Sequence, residues 1–295
     1  MNTVSVEILK DLYYIGVNDR DTNLFENMWP LAEGVAYNSY LIVDEKTALL
    51  DTVKITKVNG FIENLKKNLN GRDLDYLIIH HMEPDHSGCY LSVLDVYPNL
   101  TFVGNKKAKA MFKDYLDMEP ENFIEVKDGE TLSLGKRTLT FVNTPMVHWP
   151  ESMVSYESTD KILFSQDIFG GFGALNGTIF DDEMNFDFFR DEMRRYYSNI
   201  VGKYSKQAAK ALEKVKALDI KVICPVHGIV WRTHPNMIID EYIRLANQVN
   251  EEGVVIAYGS MYGNTEKMAK AIEEGIVEAG GKVTVYKASE MNKED

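Results

Sequence analysis

Leu77-Ile78-Ile79-His80-His81-Met82-Glu83-Pro84-Asp85-His86 is the stretch on which the reading of this 295-residue chain turns. The three apolar residues close a run, residues 74–79, that reads as a buried strand. Five possible metal donors follow within seven positions: His80, His81, Glu83, Asp85 and His86. Side chains alternate along an extended segment, so His81, Glu83 and Asp85 would share one face. A tight loop containing Pro84 can then aim several of these groups at one point. His80 points away from His81 if the strand continues, which makes it a core or supporting residue.

Three further donors stand alone, each near the end of an apolar run. His148 follows residues 138–142, Asp167 follows 162–164, and His227 follows 222–224. One sheet edge would bring them all together. A single histidine after a strand is more often a cap or a core residue than a ligand. A dense cluster followed by three such strand-end donors reverses that balance. His234, in Arg232-Thr233-His234-Pro235, reads as a loop residue.

The set totals four histidines and three carboxylates, more than one ion needs. Imidazole with carboxylate and no thiolate suits zinc, iron or manganese. Zinc hydrolases use mostly histidine and keep a water for attack. Added carboxylates harden the site and favour oxidised iron, and one such as Asp167 can bridge two ions.

Outward from this stretch, residues 40–43 and 48–51 flank Asp44-Glu45-Lys46-Thr47 as a hairpin. Residues 56–68 carry Val58, Ile62 and Leu65 at helical spacing among lysines. Helical stretches fill 183–216. Hairpins early and helices between later strands favour an α/β sandwich of two sheets with helices outside over a doubly wound parallel sheet. A boundary falls near Asn250-Glu251-Glu252-Gly253, giving domains 1–250 and 251–295. Beyond it lie a strand at 254–258, a glycine-containing turn, a helix from about Thr265 and a strand at 282–286. One βαβ unit is too little for a stable domain, so 251–295 is expected to be a truncated second domain.

Composition excludes more than it identifies. The formal charge is −13, which argues against nucleic acid or an anionic membrane as partner. The first residues show no signal peptide, and no apolar stretch reaches the ~18 residues of a spanning helix. A cytoplasmic location is the expectation. Cys89 and Cys224 form no CxxC pair and are expected to be reduced, buried thiols. The chain carries no cysteine set for an iron–sulfur or rubredoxin centre.

The pattern His81-x-Glu83-x-Asp85-His86, then His148, Asp167 and His227, resembles the metallo-β-lactamase superfamily in its flavodiiron version. Zinc hydrolases of the superfamily have histidine where this chain has Glu83. Residues 148–153 (His-Trp-Pro-Glu-Ser-Met) and 167–173 (Asp-Ile-Phe-Gly-Gly-Phe-Gly) match as well. The resemblance covers the whole chain: a metallo-β-lactamase-like αββα sandwich to about residue 250, then an incomplete flavodoxin-like α/β unit. It implies that His81, Glu83 and His148 hold one iron, and that Asp85, His86 and His227 hold the other. Asp167 would bridge them. Position 86 is not a ligand in every such protein. Tyr197 resembles a tyrosine that lies near the irons, the alternative being a core residue of an amphipathic helix. Ser260-Met261-Tyr262-Gly263-Asn264-Thr265 is similar to a flavin phosphate loop, since hydroxyls and N–H groups at a helix N-terminus make an anion site. FMN is thus implied for the full-length protein, although the strands and loops that sandwich its ring lie outside this chain.

What the resemblance implies is an oxidoreductase that reduces dioxygen to water, nitric oxide to nitrous oxide, or both, with electrons passed through FMN. It further implies a head-to-tail homodimer or a higher homo-oligomer, and a separate electron donor: a rubredoxin, a flavin reductase or a reduced deazaflavin. Two other readings are a zinc hydrolase of the same fold acting on an ester, thioester or phosphodiester, and a truncated product that binds metal but cannot accept electrons.

Overall fold

The computed structural model describes residues 5–291, and the chain divides into one unit ending at Asn247 and a second starting at Gln248. In the first unit, seven strands lie side by side in chain order: β1 (Val6–Leu9), β2 (Leu12–Tyr14), β3 (Tyr40–Val43), β4 (Thr47–Leu50), β5 (Tyr76–Ile78), β6 (Thr101–Gly104) and β7 (Phe123–Glu125). Pairing is antiparallel from β1 to β4 and parallel from β4 to β7. A second sheet holds β8 (Thr131–Ser133), β9 (Thr138–Asn143), β10 (Met153–Glu157), β11 (Ile162–Gln166) and β12 (Val222–Pro225). Only its last pair, β11 with β12, is parallel.

Every residue of β4, β11 and β12 is buried. A strand hidden on both faces must be covered from both sides, which is the condition of the inner strands of a layered sandwich. The covering helices are amphipathic. Helix α1 (Val58–Leu69) buries Phe61, Leu65 and Leu69 at four-residue intervals. It starts later than the spacing suggests because Ile55–Lys57 forms a 3-10 turn first. It stops at Asn70, whose left-handed conformation (φ 49°) sends its N–H back to the Lys66 carbonyl. The other helices of this unit are α2 (Pro84–Ser87), α3 (Tyr90–Val96), α4 (Lys106–Leu116), α5 (Phe186–Tyr196), α6 (Ser205–Lys216) and α7 (Pro235–Ala246).

Several strands escape a reading by apolar runs. In β10, Ser155 and Glu157 are buried polar residues, so the run is broken although the strand is central. Ser155 accepts or donates at His80 Nε2, and Glu157 receives the N–H groups of Thr159 and Asp160. In β7, Ile124 and Glu125 are both exposed, so neither alternation nor a run appears.

The second unit is a βαβ: β13 (Val254–Tyr258), α8 (Asn264–Glu278) and β14 (Val283–Lys287), the strands parallel from Val254↔Val283 to Tyr258↔Lys287. Among the described residues no helix is long and apolar enough to cross a membrane. Cys89 and Cys224 are free and buried, and burial pushes the Cys89 thiol up to about 12.

Candidate metal centre

The parallel strands place their carboxyl ends on one edge, and the donors follow from those ends. Asp51 follows β4, His80 and His81 follow β5, Asp167 follows β11, and His227 follows β12. His148 comes from the loop joining β9 to β10. The stretch after β5 leaves the extended path at Pro84, which opens the single turn α2. There the Glu83 carbonyl accepts the N–H groups of His86 and Ser87, each at 2.9 Å. Thr52 grips the same turn: its N–H and hydroxyl both donate to the His86 carbonyl, at 2.9 and 2.6 Å. This turn separates Asp85 from the face that His81 and Glu83 share.

Two groups of donors result, each with its ligand atoms within 4.8 Å of one another: His81, Glu83, His148 and Asp167, and then Asp85, His86 and His227. In the first, Glu83 Oε2 lies 3.2 Å from His81 Nε2 and 3.0 Å from His148 Nε2. In the second, Asp85 lies 3.5 Å from His86 Nε2 and 3.4 Å from His227 Nε2. Asp167 spans both. Its Oδ2 is 3.5 Å from His81 and 3.4 Å from His148, whereas its Oδ1 is 3.6 Å from both His86 and His227.

Charge and burial show what such a cluster requires. Burial alone would raise the Asp167 carboxyl, yet the His86 imidazole 3.6 Å away and the His81 and His148 charges hold it well below the usual range. Glu83 behaves alike: burial opposes ionisation, and His148 and His81 overcome it. Burial would lower His81, but its bonds to Glu151 and Glu83 hold it well above an ordinary histidine. Buried polar atoms are otherwise nearly always paired. Here both Asp85 oxygens, both His86 ring nitrogens and His227 Nε2 have no hydrogen-bond partner. Buried carboxylates and orphaned imidazole nitrogens converging on two points, with no thiolate among them, fit a pair of hard cations.

The surroundings include the supporting residue read at His80 and others, Asp51, Glu151 and Tyr196, that donor spacing does not mark. His80 turns away from both groups, its Nδ1 2.7 Å from Asp51 and its Nε2 2.6 Å from Ser155, so it ties the end of β5 to β10. The tyrosine on the cluster is Tyr196, whose phenol donates to Asp167 Oδ1 at 2.7 Å. Tyr197 instead pairs with the Ser205 hydroxyl at 2.8 Å and packs on Tyr242, with ring centres 5.0 Å apart. The reason is phase. Phe189, Met193 and Tyr196 form the buried face of α5, and Tyr197 opens a π-helical turn (Tyr197–Val201) that ends this spacing. That periodicity is the signal in the sequence that points to Tyr196. His234 is exposed.

A cavity of about 430 Å³ adjoins Glu83 and Asp85, walled by Phe25, Tyr37, Lys54 and Glu26. The rings of Phe25 and Tyr37 stand edge-on to His227, at 5.3 and 5.5 Å. Burial, and then the neighbouring Glu83 charge, raises the Glu26 carboxyl.

In the second unit, residues 260–265 join β13 to α8. Gly263 takes a left-handed conformation (φ 82°), and its N–H donates to Ser260 Oγ at 2.9 Å. No side chain caps α8, so N–H groups of its first turn are available to an anion. Met261 and Tyr262 are exposed.

Comparison with known proteins gives this geometry a family. Residues 35–228 match the model of the ODP family beta lactamases, and residues 256–295 match that of flavodoxins. The chain is 36% identical over 293 residues to a nitric oxide reductase of Moorella thermoacetica, covering 98% of this chain and 73% of that protein. Its fold superposes on rubredoxin oxygen:oxidoreductase from Desulfovibrio gigas with a TM-score of 0.93 at 32% identity, over 98% of this chain and 73% of that one. For the flavodiiron protein of Giardia intestinalis the TM-score is 0.91 at 32% identity, over 98% and 70%. With a β-lactamase-like domain carrying two donor groups and the start of a flavodoxin-like domain after it, the chain belongs to the flavodiiron family.

Proposed function

We propose that this chain holds two irons and acts as an oxidoreductase that reduces dioxygen, nitric oxide or both. The observation that carries this reading is Asp167, which turns one carboxylate oxygen to each donor group. His81, Glu83 and His148 would hold one iron, and Asp85, His86 and His227 the other. Bound there, ferrous ions would supply electrons and a place for the gas to bind, and FMN would supply further electrons. The protein's own part is orientation and exclusion. Tyr196 fixes the Asp167 carboxylate from the side of Oδ1. Phe25 and Tyr37 give the cavity apolar walls that limit water beside His227. Partial burial and the Glu83 charge beside it make Glu26 bind its proton more tightly than an ordinary carboxyl does. Ser260, Met261, Tyr262, Gly263, Asn264 and Thr265 would receive the FMN phosphate, a role the uncapped start of α8 supports.

Electrons would come from a separate protein or coenzyme, with rubredoxin the first to test, because the Desulfovibrio gigas relative is a rubredoxin oxygen:oxidoreductase. A head-to-tail homodimer belongs to the same proposal and is checked by sedimentation. The deciding experiment is elemental analysis of anaerobically purified protein. About two irons per chain is the expected result. Zinc alone, from cells supplied with abundant iron, would overturn the reading in favour of a hydrolase.

A further inference from the structure

We infer that Glu151 is a positioning residue that makes the two metal positions unequal, so that the position of His81, Glu83 and His148 fills first and empties last. The inference rests on the dinuclear reading above and concerns how firmly each position is prepared.

Glu151 is fully buried. Its Oε1 lies 2.7 Å from His81 Nδ1 and accepts the Met82 N–H at 2.9 Å. Its main chain is pinned as well, because the Asn105 side-chain amide donates to the Glu151 carbonyl at 2.6 Å. The other end of that amide caps α4, accepting the N–H groups of Lys107 and Ala108 at 3.1 and 3.0 Å. Glu151 is therefore tied through its main chain to the start of a helix and through its carboxylate to a ligand ring. A proton on Nδ1 directed at Glu151 leaves His81 Nε2, the atom facing Glu83, as the lone pair offered to a metal. A carboxylate behind a ligand histidine fixes its ring, makes it a stronger donor and adds negative charge near the ion.

The second group has no counterpart. Neither ring nitrogen of His86 and neither oxygen of Asp85 has a hydrogen-bond partner. His227 Nδ1 donates to a neutral carbonyl, that of Ala36, at 2.9 Å. One position is thus held by a ring backed by a buried anion. The other depends on a histidine that packs on the His81 and His227 rings but has no hydrogen bond at either ring nitrogen to fix it. Removing such a supporting carboxylate typically lowers metal affinity about 10–100-fold.

The test titrates the metal-free full chain with cobalt(II), whose visible spectrum reports each position, and then withdraws the ions with a chelator. Two ions should bind, and release should occur in a fast and a slow phase. His86→Ala should lose the fast phase and keep the slow one. Glu151→Gln keeps the shape and an accepting oxygen but not the charge, so it should speed the slow phase about 10–100-fold and leave the fast phase alone. Should Glu151→Gln fail to fold, Glu151→Asp, which withdraws the charge by one methylene, reads the same slow phase by the same criteria. An unchanged slow phase, or equal acceleration of both phases, would overturn the assignment while the dinuclear reading stands. Fewer than two ions in the parent would overturn both.

Discussion

The phenols of Tyr196 and Tyr197 stand one position apart and meet different partners, so their variants should separate support of the metal site from support of the fold. Tyr196 donates to a buried carboxylate, and burial followed by the Asp167 charge holds its own proton in place. Hydrogen bonds to charged groups contribute about 1.5–3 kcal/mol. Tyr196→Phe should cost about that much in a melt of the metal-loaded protein and shift its cobalt spectrum. Tyr197→Phe loses only a bond to Ser205, worth about 0.5–1.5 kcal/mol, and should leave the spectrum unchanged. A shift in Tyr197→Phe would show that Tyr197, too, bears on the metal site. A second residue-scale prediction concerns His86. Burial lowers it, but Asp85 and Asp167 outweigh burial and push it up to about 9 in the metal-free chain. A histidine raised above its ordinary value of about 6.5 stabilises the fold fully below that value. That stability is lost as pH rises through about 9. The metal-free protein should therefore melt lower as pH climbs from 6.5 to 9. Metal needs the neutral ring, so loading at pH 7 should release protons, and less of this release should remain above pH 9. Metal-free protein that melts higher at pH 9 than at pH 6.5 would contradict the sign.

What individual elements do explains how far the sequence could be read. The run-then-donor rhythm around Ile79, Phe164 and Cys224 is legible because parallel strands buried on both faces need continuous apolar residues, and their carboxyl ends must lead somewhere. The structure gathers His81, Glu83, Asp85, His86, His148, Asp167 and His227 at those ends. Strand β10 was hidden because its buried Ser155 and Glu157 are satisfied by partners that a linear reading does not see. The π turn at Tyr197–Val201 breaks the 3.6-residue count, so that Tyr196 meets Asp167 while Tyr197 takes the core position that was its alternative reading; such turns occur often at functional sites. Tight elements carry a prediction too. Gly228, just after His227, has φ 72°, and a Cβ there would meet the Gly171 backbone at 3.0 Å from N and 3.1 Å from O. Backbone cannot swing aside like a flexible side chain. Gly228→Ala should therefore cost about 1–3 kcal/mol and loosen metal held through His227. Gly177 is the control: its φ is 94°, but a Cβ there meets nothing within 4 Å. Gly177→Ala should show only the conformational cost of about 1 kcal/mol and full metal content. Equal losses in the two would mean that φ, not the closeness of the 167–173 loop, sets the requirement.

On the scale of the molecule, the chain combines a unit that carries its own core with one that does not. All seven donors, and Asp51, Glu151 and Tyr196 around them, fall before Asn247, within a continuous apolar core. In the second unit, α8 buries Ala269 alone, and Met268, Ile272 and Val277 are exposed, as is Val255 on β13. Two strands and one helix hide too little apolar surface to offset the conformational entropy of ordering them. Metal binding and folding of the first unit should then be independent of residues 248–295. A chain ending at Asn247 is expected to hold two metal ions and to melt within a few degrees of the full chain when loaded. The peptide 248–295, measured alone by circular dichroism, is expected to be largely unfolded. Metal lost on shortening would place a determinant of the site beyond Asn247, and a cooperative melt of the peptide would show that the second unit has a core of its own.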